Sequence, residues 1–366
     1  MKKPYRNFLW VYLSTTLSAL VSVALINYHF DPGELFHHRV EDTISSILLK
    51  GKNAAGVKNL DEGILARKVI TDRRSTPDTI IMGSSRSMTL QSDHLPDIEF
   101  FYNSAISSAV LHDLYAITHL YQKREVLPKT VIFGIDPWIF NPKSNHRWSS
   151  IQKECDDMVK QLKLTSPPLV NTAHQPNRWK ELISLQYLRA SLKSYNLPDP
   201  KESIFELSDE IVKRDILNPA GMLGHATVRR SDGAVIFPLR ERQKTGEDTS
   251  RDSAIYNPTF LRYPKLSDHN KKCFEMLVDF WQKSGSKVVF LLPPYHPDFY
   301  ARVKDDGPAT MLEEAEVYVR SLGTQLNVPV VGGYNPKPFG FTASDFTDQR
   351  HPRPKVMASL FSSVSL

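Results

Sequence analysis

Thr79–Arg86 reads TIIMGSSR, a short apolar run broken by Gly83-Ser84-Ser85, and this pattern predicts a buried strand that runs straight into a turn. The same signature recurs outward along the chain. Phe100–Tyr102 is a second apolar segment, followed by Asn103, and VLHDLYAITHLYQ (Val110–Gln122) has helical spacing. VIFGI (Val131–Ile135) is another buried strand, ended by Asp136-Pro137. The segment Asn270–Lys283 has helical spacing and precedes KVVFLL (Lys287–Leu292), a strand that stops at Pro293-Pro294. Met311–Leu322 reads as a helix and VPVV (Val328–Val331) as the last strand. Continuous apolar runs alternating with helices predict an α/β fold, a mostly parallel sheet covered on both faces. The alternation lapses between about residues 145 and 265. Trp179–Tyr195 and Lys201–Lys213 read as helical pieces and Arg229–Asp252 as a polar stretch, so this part is an expected helical insertion or lid.

The whole chain has 366 residues, 41% hydrophobic and 23% charged, which excludes global disorder and a polytopic membrane protein. Its net charge is 46 − 40 = +6, but Lys2, Lys3 and Arg6 precede the first acidic residue, and the remainder carries only 43 − 40 = +3. No nucleic-acid partner is expected from so small an excess. Two cysteines, Cys155 and Cys273, exclude a disulfide-dense scaffold and a four-thiolate metal site. Phe8–Ile26 (FLWVYLSTTLSALVSVALI) is uncharged and long enough to cross about 30 Å of hydrocarbon. The basic flank before it predicts a single-pass anchor in the cytoplasmic (inner) membrane, with the rest of the chain extracytoplasmic, periplasmic. A cleaved signal peptide ending near Ser22-Val23-Ala24 and a buried soluble helix are the competing readings. The expected organisation is an anchor over residues 1–30, a helical juxtamembrane segment over 31–75, and one domain over 76–366.

In open parallel sheets the ligand crevice lies outside the carboxyl ends of the strands, so residues just after the apolar runs are the candidates for chemistry. These are Gly83–Arg86, Asn103–Ser108 (NSAISS), Gly134–Pro137, and Asp348–His351 near the C-terminus. Ser85 could expose its hydroxyl at a strand-to-turn position. His351 could accept its proton, and Asp348, three residues earlier, could hold the other ring nitrogen. Asp345 is an alternative orienting acid. The bland readings are Ser85 as a helix cap, His351 as a surface histidine before a final helix, and Arg86 in a structural salt bridge or hydrogen-bonded to strand ends, with the binding of an anionic substrate group as the functional alternative for Arg86. His296, in Pro-Tyr-His-Pro after a strand end, could line the crevice, and His112 falls on a helix. Arg229, Arg230, Arg240 and Arg242 read as a solvated face. The 12 histidines show no metal-binding spacing and no Gly-rich phosphate cradle is present, so no metal and no nucleotide cofactor are expected.

With serine after the first core strand and Asp-x-x-His beyond the last, the chain resembles the SGNH hydrolase superfamily, in Gly83-Ser84-Ser85 and in Asp348–His351. GSSR, FGIDPWIF from Phe133 and LPPYHP from Leu292 resemble more narrowly the D-alanyl transfer proteins of teichoic-acid synthesis and the alginate O-acetylation proteins. The resemblance covers about residues 77–145 and 285–360. It implies a three-layer α/β sandwich and a serine acyltransferase or esterase with Ser85, Asp348 and His351 as the catalytic residues. The substrate would be an acyl ester of a cell-envelope glycan or polyol, and a membrane-bound O-acyltransferase could be a partner. The sequence departs from the superfamily at two oxyanion positions. Ser107 or Ser108 stands where a Gly N–H is usual, and Asp136 stands where an Asn usually donates, with Asn103 the nearest replacement donor. A carboxylate aimed at a developing oxyanion would oppose catalysis, so Asp136 must be turned away, protonated or replaced, or it could orient an acceptor hydroxyl. A catalytically silent scaffold that binds glycan is the alternative.

Overall fold

The computed structural model describes residues 3–56, 60–95, 97–171, 178–195, 200–215, 226–238, 261, 263–305, 309–362 and 364. The chain opens with helix α1 (Lys3–Phe30), which contains the uncharged stretch and is long and apolar enough to cross a membrane. Then come α2 (Arg39–Leu49), the short strand β1 (Asn53–Ala55) and α3 (Glu62–Asp72). Asp61 caps α3 by accepting the Ile64 N–H. The core follows as β2 (Thr79–Met82), β3 (Phe101–Asn103), α4 (Leu111–Gln122) and β4 (Thr130–Gly134).

Residues 145–265 supply α5 (Gln152–Gln161), α6 (Arg178–Glu181), α7 (Leu185–Ser194), β5 (Phe205–Leu207), α8 (Asp209–Asp215), β6 (Val228–Arg229) and β7 (Val235–Ile236). The core resumes with α9 (Asp268–Lys283), β8 (Lys287–Leu292), α10 (Pro297–Asp305), α11 (Ala309–Leu326), β9 (Val330–Gly332) and α12 (Pro354–Phe361).

The five core strands form an all-parallel sheet in the order β3-β2-β4-β8-β9. Successive side chains of a strand leave on opposite faces. Ile80, Met82, Val131, Phe133, Val288 and Phe290 pack with α4, α9 and α11, while Ile81, Ile132, Val289 and Leu291 pack with Val356, Met357 and Leu360 of α12. Both faces are therefore dry, which is why these strands read as unbroken apolar runs. Because all five run the same way, the Ser85, Asn103–Ser108, Asp136 and Tyr295-His296 segments all leave from one edge.

The insertion differs from its helical reading. Lys201–Lys213 is not one helix: β5 interrupts it, because Phe205–Leu207 pairs antiparallel with β1 across Asn53↔Leu207. A second sheet, β5-β1-β6-β7, results, and it joins the insertion to the segment before the core. It also reaches the Ser85 turn. Val235 N–H donates to the Met88 carbonyl at 2.9 Å, and Asn103 N–H donates to the Asp232 carbonyl at 2.7 Å. The hairpin tip sits so close to β3 that a Cβ on Gly233, whose φ is +81°, would stand 2.2 Å from the Asn103 carbonyl oxygen. Arg229 and Arg230, expected on a solvated face, are buried in ion pairs: Arg229 with Glu62 at 2.9 Å, Arg230 with Asp232 at 3.3 Å. Arg240 and Arg242 lie outside the described residues. Cys155 and Cys273 are buried free thiols.

Candidate active site

From Thr79 to Leu90 every residue is buried except Ser85. The turn that lifts it out is closed by Ser87 N–H donating to the Ser84 carbonyl at 2.9 Å and Met88 N–H donating to the Ser85 carbonyl at 3.3 Å. It can lie flat on the sheet edge because β4 ends in Gly134, where a Cβ would stand 2.0 Å from Ser87 Oγ. Ser85 is thus presented to solvent by a rigid, apolar strand, and it does not cap a helix.

The C-terminal loop meets it there. Ser85 Oγ is 2.9 Å from His351 Nε2, and His351 Nδ1 is 2.7 Å from Asp348 Oδ2. The other carboxylate oxygen, Oδ1, accepts the backbone N–H groups of Arg350 at 2.7 Å and His351 at 2.9 Å. Burial raises the Asp348 carboxyl pKa, but the His351 ring and these two N–H donors outweigh it and hold the group well below the usual carboxylate range. Asp348 is therefore ionised across the physiological range. An ionised carboxylate on Nδ1 keeps the proton there and leaves Nε2 free to accept one from Ser85. Asp345 is engaged elsewhere, with Lys355 at 2.5 Å and Thr342 N–H at 2.6 Å, so Asp348 is the acid that orients His351.

Arg86, the residue after Ser85, points inward and is almost wholly buried. Its guanidinium donates from Nε to the Arg350 carbonyl at 3.0 Å, from Nη1 to Asp136 Oδ1 at 2.5 Å, and from Nη2 to the Pro293 carbonyl. It also lies 3.6 Å from the centroid of the Tyr295 ring. One side chain thus ties together the segments after β2, β4 and β8 and the loop that carries His351. Burial raises the Asp136 carboxyl, and Arg86 opposes that shift. Asp136 is turned toward Arg86 and is not among the residues lining the two cavities that meet at Ser85.

The oxyanion expectations are redistributed. Asn103 cannot donate to a reacting group, because its amide donates to the Ser87 and Leu90 carbonyls, both at 2.9 Å, while its Oδ1 accepts the Ala105 N–H. The Ser107 N–H is taken by Glu62 at 2.5 Å, and its carbonyl accepts the Trp148 indole N–H at 2.7 Å. Ser108 differs from both. Its φ of +56° is in the left-handed region that favours glycine, and its N–H, like that of Ser85, donates to no group among the described residues. Both residues line the larger cavity beside His351, so these two backbone N–H groups are candidate donors there. His296 is fully buried, with Nδ1 accepting the Asp298 N–H at 3.1 Å and its ring against Phe346. It shapes the loop and does not line the crevice: its own N–H donates to the Gln349 carbonyl at 3.2 Å. His112 is buried near the His146–Asp113 pair, its ring 5.2 Å from that of His146.

Two cavities share Ser85. The smaller, about 220 Å³, is walled by Met88, Val235 and Phe237 with Arg147, Trp148 and the Glu62–Arg229 pair. The larger, about 550 Å³, is lined by Val110, Trp138, Asn141, Lys143, Asn145 and Arg350 around His351. The sequence reading missed the walls from the insertion. Phe237, 6.4 Å from the His351 ring, carries no local signature because it follows β7, a strand two residues long, and Glu62, at the start of α3 and outside the insertion, meets the cavity in its ion pair with Arg229 of β6. Trp138, in FGIDPWIF, could have been suspected from its place after β4. Among the described residues no group of three or more His, Cys, Asp or Glu is placed to hold a metal ion. No family model matches this sequence, and no curated protein matches it.

Proposed function

We propose that this chain is a membrane-anchored serine acyltransferase or esterase of SGNH hydrolase type, acting on acetyl or D-alanyl esters of a cell-envelope or extracellular polysaccharide or polyol. The observation that carries the reading is the unbroken hydrogen-bonded run from Ser85 Oγ through His351 to Asp348, assembled from chain segments 266 residues apart. In the proposed reaction Ser85 Oγ attacks the acyl carbonyl while His351 Nε2 takes its proton. The Ser85 and Ser108 N–H groups donate to the oxyanion, and each such donor is worth about 2.7–4 kcal/mol of barrier. His351 returns the proton to the departing alkoxide, leaving an ester on Ser85. A second hydroxyl, activated by the same imidazole, then takes the acyl group.

The two cavities favour transfer over hydrolysis, since one can hold the acyl donor while the other presents an acceptor to the same Oγ. The parallel sheet with helices on both faces supports the three-layer SGNH-like architecture. The basic Lys2, Lys3 and Arg6 before the uncharged stretch Phe8–Ile26 support an extracytoplasmic domain on an inner-membrane anchor, beside which a membrane-bound O-acyltransferase could supply acyl groups.

Purified full-length protein with p-nitrophenyl acetate tests the proposal. A burst of nitrophenol followed by slow turnover, accelerated by a glycan or polyol acceptor that becomes acetylated, is the expected result. Turnover unaffected by any acceptor, with acetate released, would reduce the reading to esterase. No burst, together with retained glycan binding, would replace it by the silent scaffold.

A further inference from the structure

The end of the anchor helix is not a loose tether. Asn27 in the last turn of α1 is fully buried. Its amide donates to the carbonyls of Glu181, Leu182 and Ser184 at 2.9–3.2 Å, and its Oδ1 accepts the Ser191 hydroxyl at 3.0 Å. Just beyond it Tyr187 donates to Asp31 at 2.6 Å, and the Phe30 and Tyr195 rings meet edge to face at 5.9 Å. Helices α6 and α7 are therefore fixed to α1 and must sit wherever α1 leaves the bilayer.

That height follows from the sequence. Phe8–Ile26 rises about 28 Å as a helix, close to the roughly 30 Å hydrocarbon thickness, so Asn27 falls at the hydrocarbon boundary and α6–α7 at the headgroup level. The exposed surface of these helices carries large apolar side chains among its cationic ones, where a helix on a water-facing domain should be polar. Leu185 and Leu192, seven residues apart and so on one helix face, are 69% and 56% exposed, and Ile183 is 57% exposed. Trp179 and Tyr195 flank them, also well exposed, and Arg189 and Lys193 stand beside the leucines. Exposed aliphatic residues bordered by Trp, Tyr and long cationic side chains suit one solvent, the bilayer interface, where rings sit among headgroups and Lys and Arg reach phosphates.

We propose that the outer face of α6–α7 lies on the lipid surface, so that α1 and this face together hold the domain at a fixed height and tilt. The lipid is named as occupant because the face is continuous with the candidate span.

The test uses full-length protein in vesicles of phosphatidylcholine and phosphatidylglycerol, with a nitroxide on a single introduced cysteine. The native thiols, being buried, are replaced by serine or left unlabelled. Labels at Leu185→Cys and Leu192→Cys are compared with Leu17→Cys in α1 and with Val126→Cys and Val317→Cys, exposed positions of the α/β domain. Collision rates with oxygen, which concentrates in lipid, and with a water-soluble nickel complex are measured. The expected result is an oxygen preference at 185 and 192 that shifts toward that of position 17 and away from 126 and 317. A nickel preference at 185 and 192 equal to that of 126 and 317 overturns the proposal, whether or not position 17 is in lipid. Dipolar broadening between labels on two molecules overturns it in favour of an interface between copies of the chain.

Discussion

At the Ser85 junction and at the Asn27 junction, side chains from distant parts of the chain meet through polar atoms, yet the two are finished differently. Asn27 uses both its donor and its acceptor inside the protein and is sealed from water. Around Ser85 the carboxylate and imidazole are satisfied, but Ser85 is half-exposed, and the N–H groups of Ser85 and Ser108, which line one cavity, donate to no group among the described residues. A saturated buried network fixes geometry; an unsaturated one beside a cavity can bind something that completes it. Arg86 belongs to the first kind although it adjoins Ser85, since its guanidinium is spent on Asp136 and two carbonyls. The comparison teaches that at this sheet edge adjacent residues are finished in opposite ways, one exposed at the cavities and its neighbour buried to hold the exposed one in place.

Substitutions at the open junction should show the largest effect. His351→Ala, or Asp348→Asn, should lower ester turnover by about 10⁴-fold while leaving the melting temperature nearly unchanged; a loss of fold with no specific loss of turnover would erase the distinction. Arg86→Met comes next. It leaves Asp136 buried without its cation and should cost about 3–5 kcal/mol of stability, read by urea unfolding. In the protein that remains folded, kcat should fall with little change in KM, because the loop carrying His351 loses its tie at Arg350. Replacing both partners, Arg86→Met with Asp136→Leu, should recover much of the stability but not kcat. Asn27→Ala should cost about 1–3 kcal/mol locally, since three partly buried carbonyls and the buried Ser191 hydroxyl lose their partner. It should accelerate amide exchange over residues 181–195 and leave ester turnover as it was.

The smallest effect is a pH dependence away from both junctions. Burial, reinforced by the neighbouring His146, lowers the His112 pKa to about 4 from 6.5. The unfolded chain then binds a proton where the folded one does not, so this contribution is complete above about pH 6.5 and is lost as the pH falls toward 4. Between pH 6.5 and 5 the loss should reach about 2 kcal/mol, and His112→Gln should remove that part of the acid-side decline.

The core was legible because both faces of its sheet are covered. Thr79–Met82 and Lys287–Leu292 coincide with strands β2 and β8 to the residue, each an uninterrupted apolar run ended by Gly or Pro. Chain order then located the candidate site, since the first strand's turn and the loop beyond the last must both leave from the carboxyl edge. The antiparallel sheet was not legible. Its strands are two or three residues long, too short for a period, and what makes them strands is pairing across about 150 residues. Arg229 and Arg230 misled for the same reason, because a charge pattern records no partner. Ser108 carried no signal for its left-handed backbone, and Asn27, just past the uncharged stretch Phe8–Ile26, carried none for its buried network.

The most direct test of the account is fluorophosphonate labelling of the full-length protein, followed by mapping of the modified peptide. The account predicts one adduct, on Ser85, that disappears in Ser85→Ala, is strongly slowed in His351→Ala and persists in Asn27→Ala. An unlabelled wild type, or an adduct on another serine that survives Ser85→Ala, would contradict it.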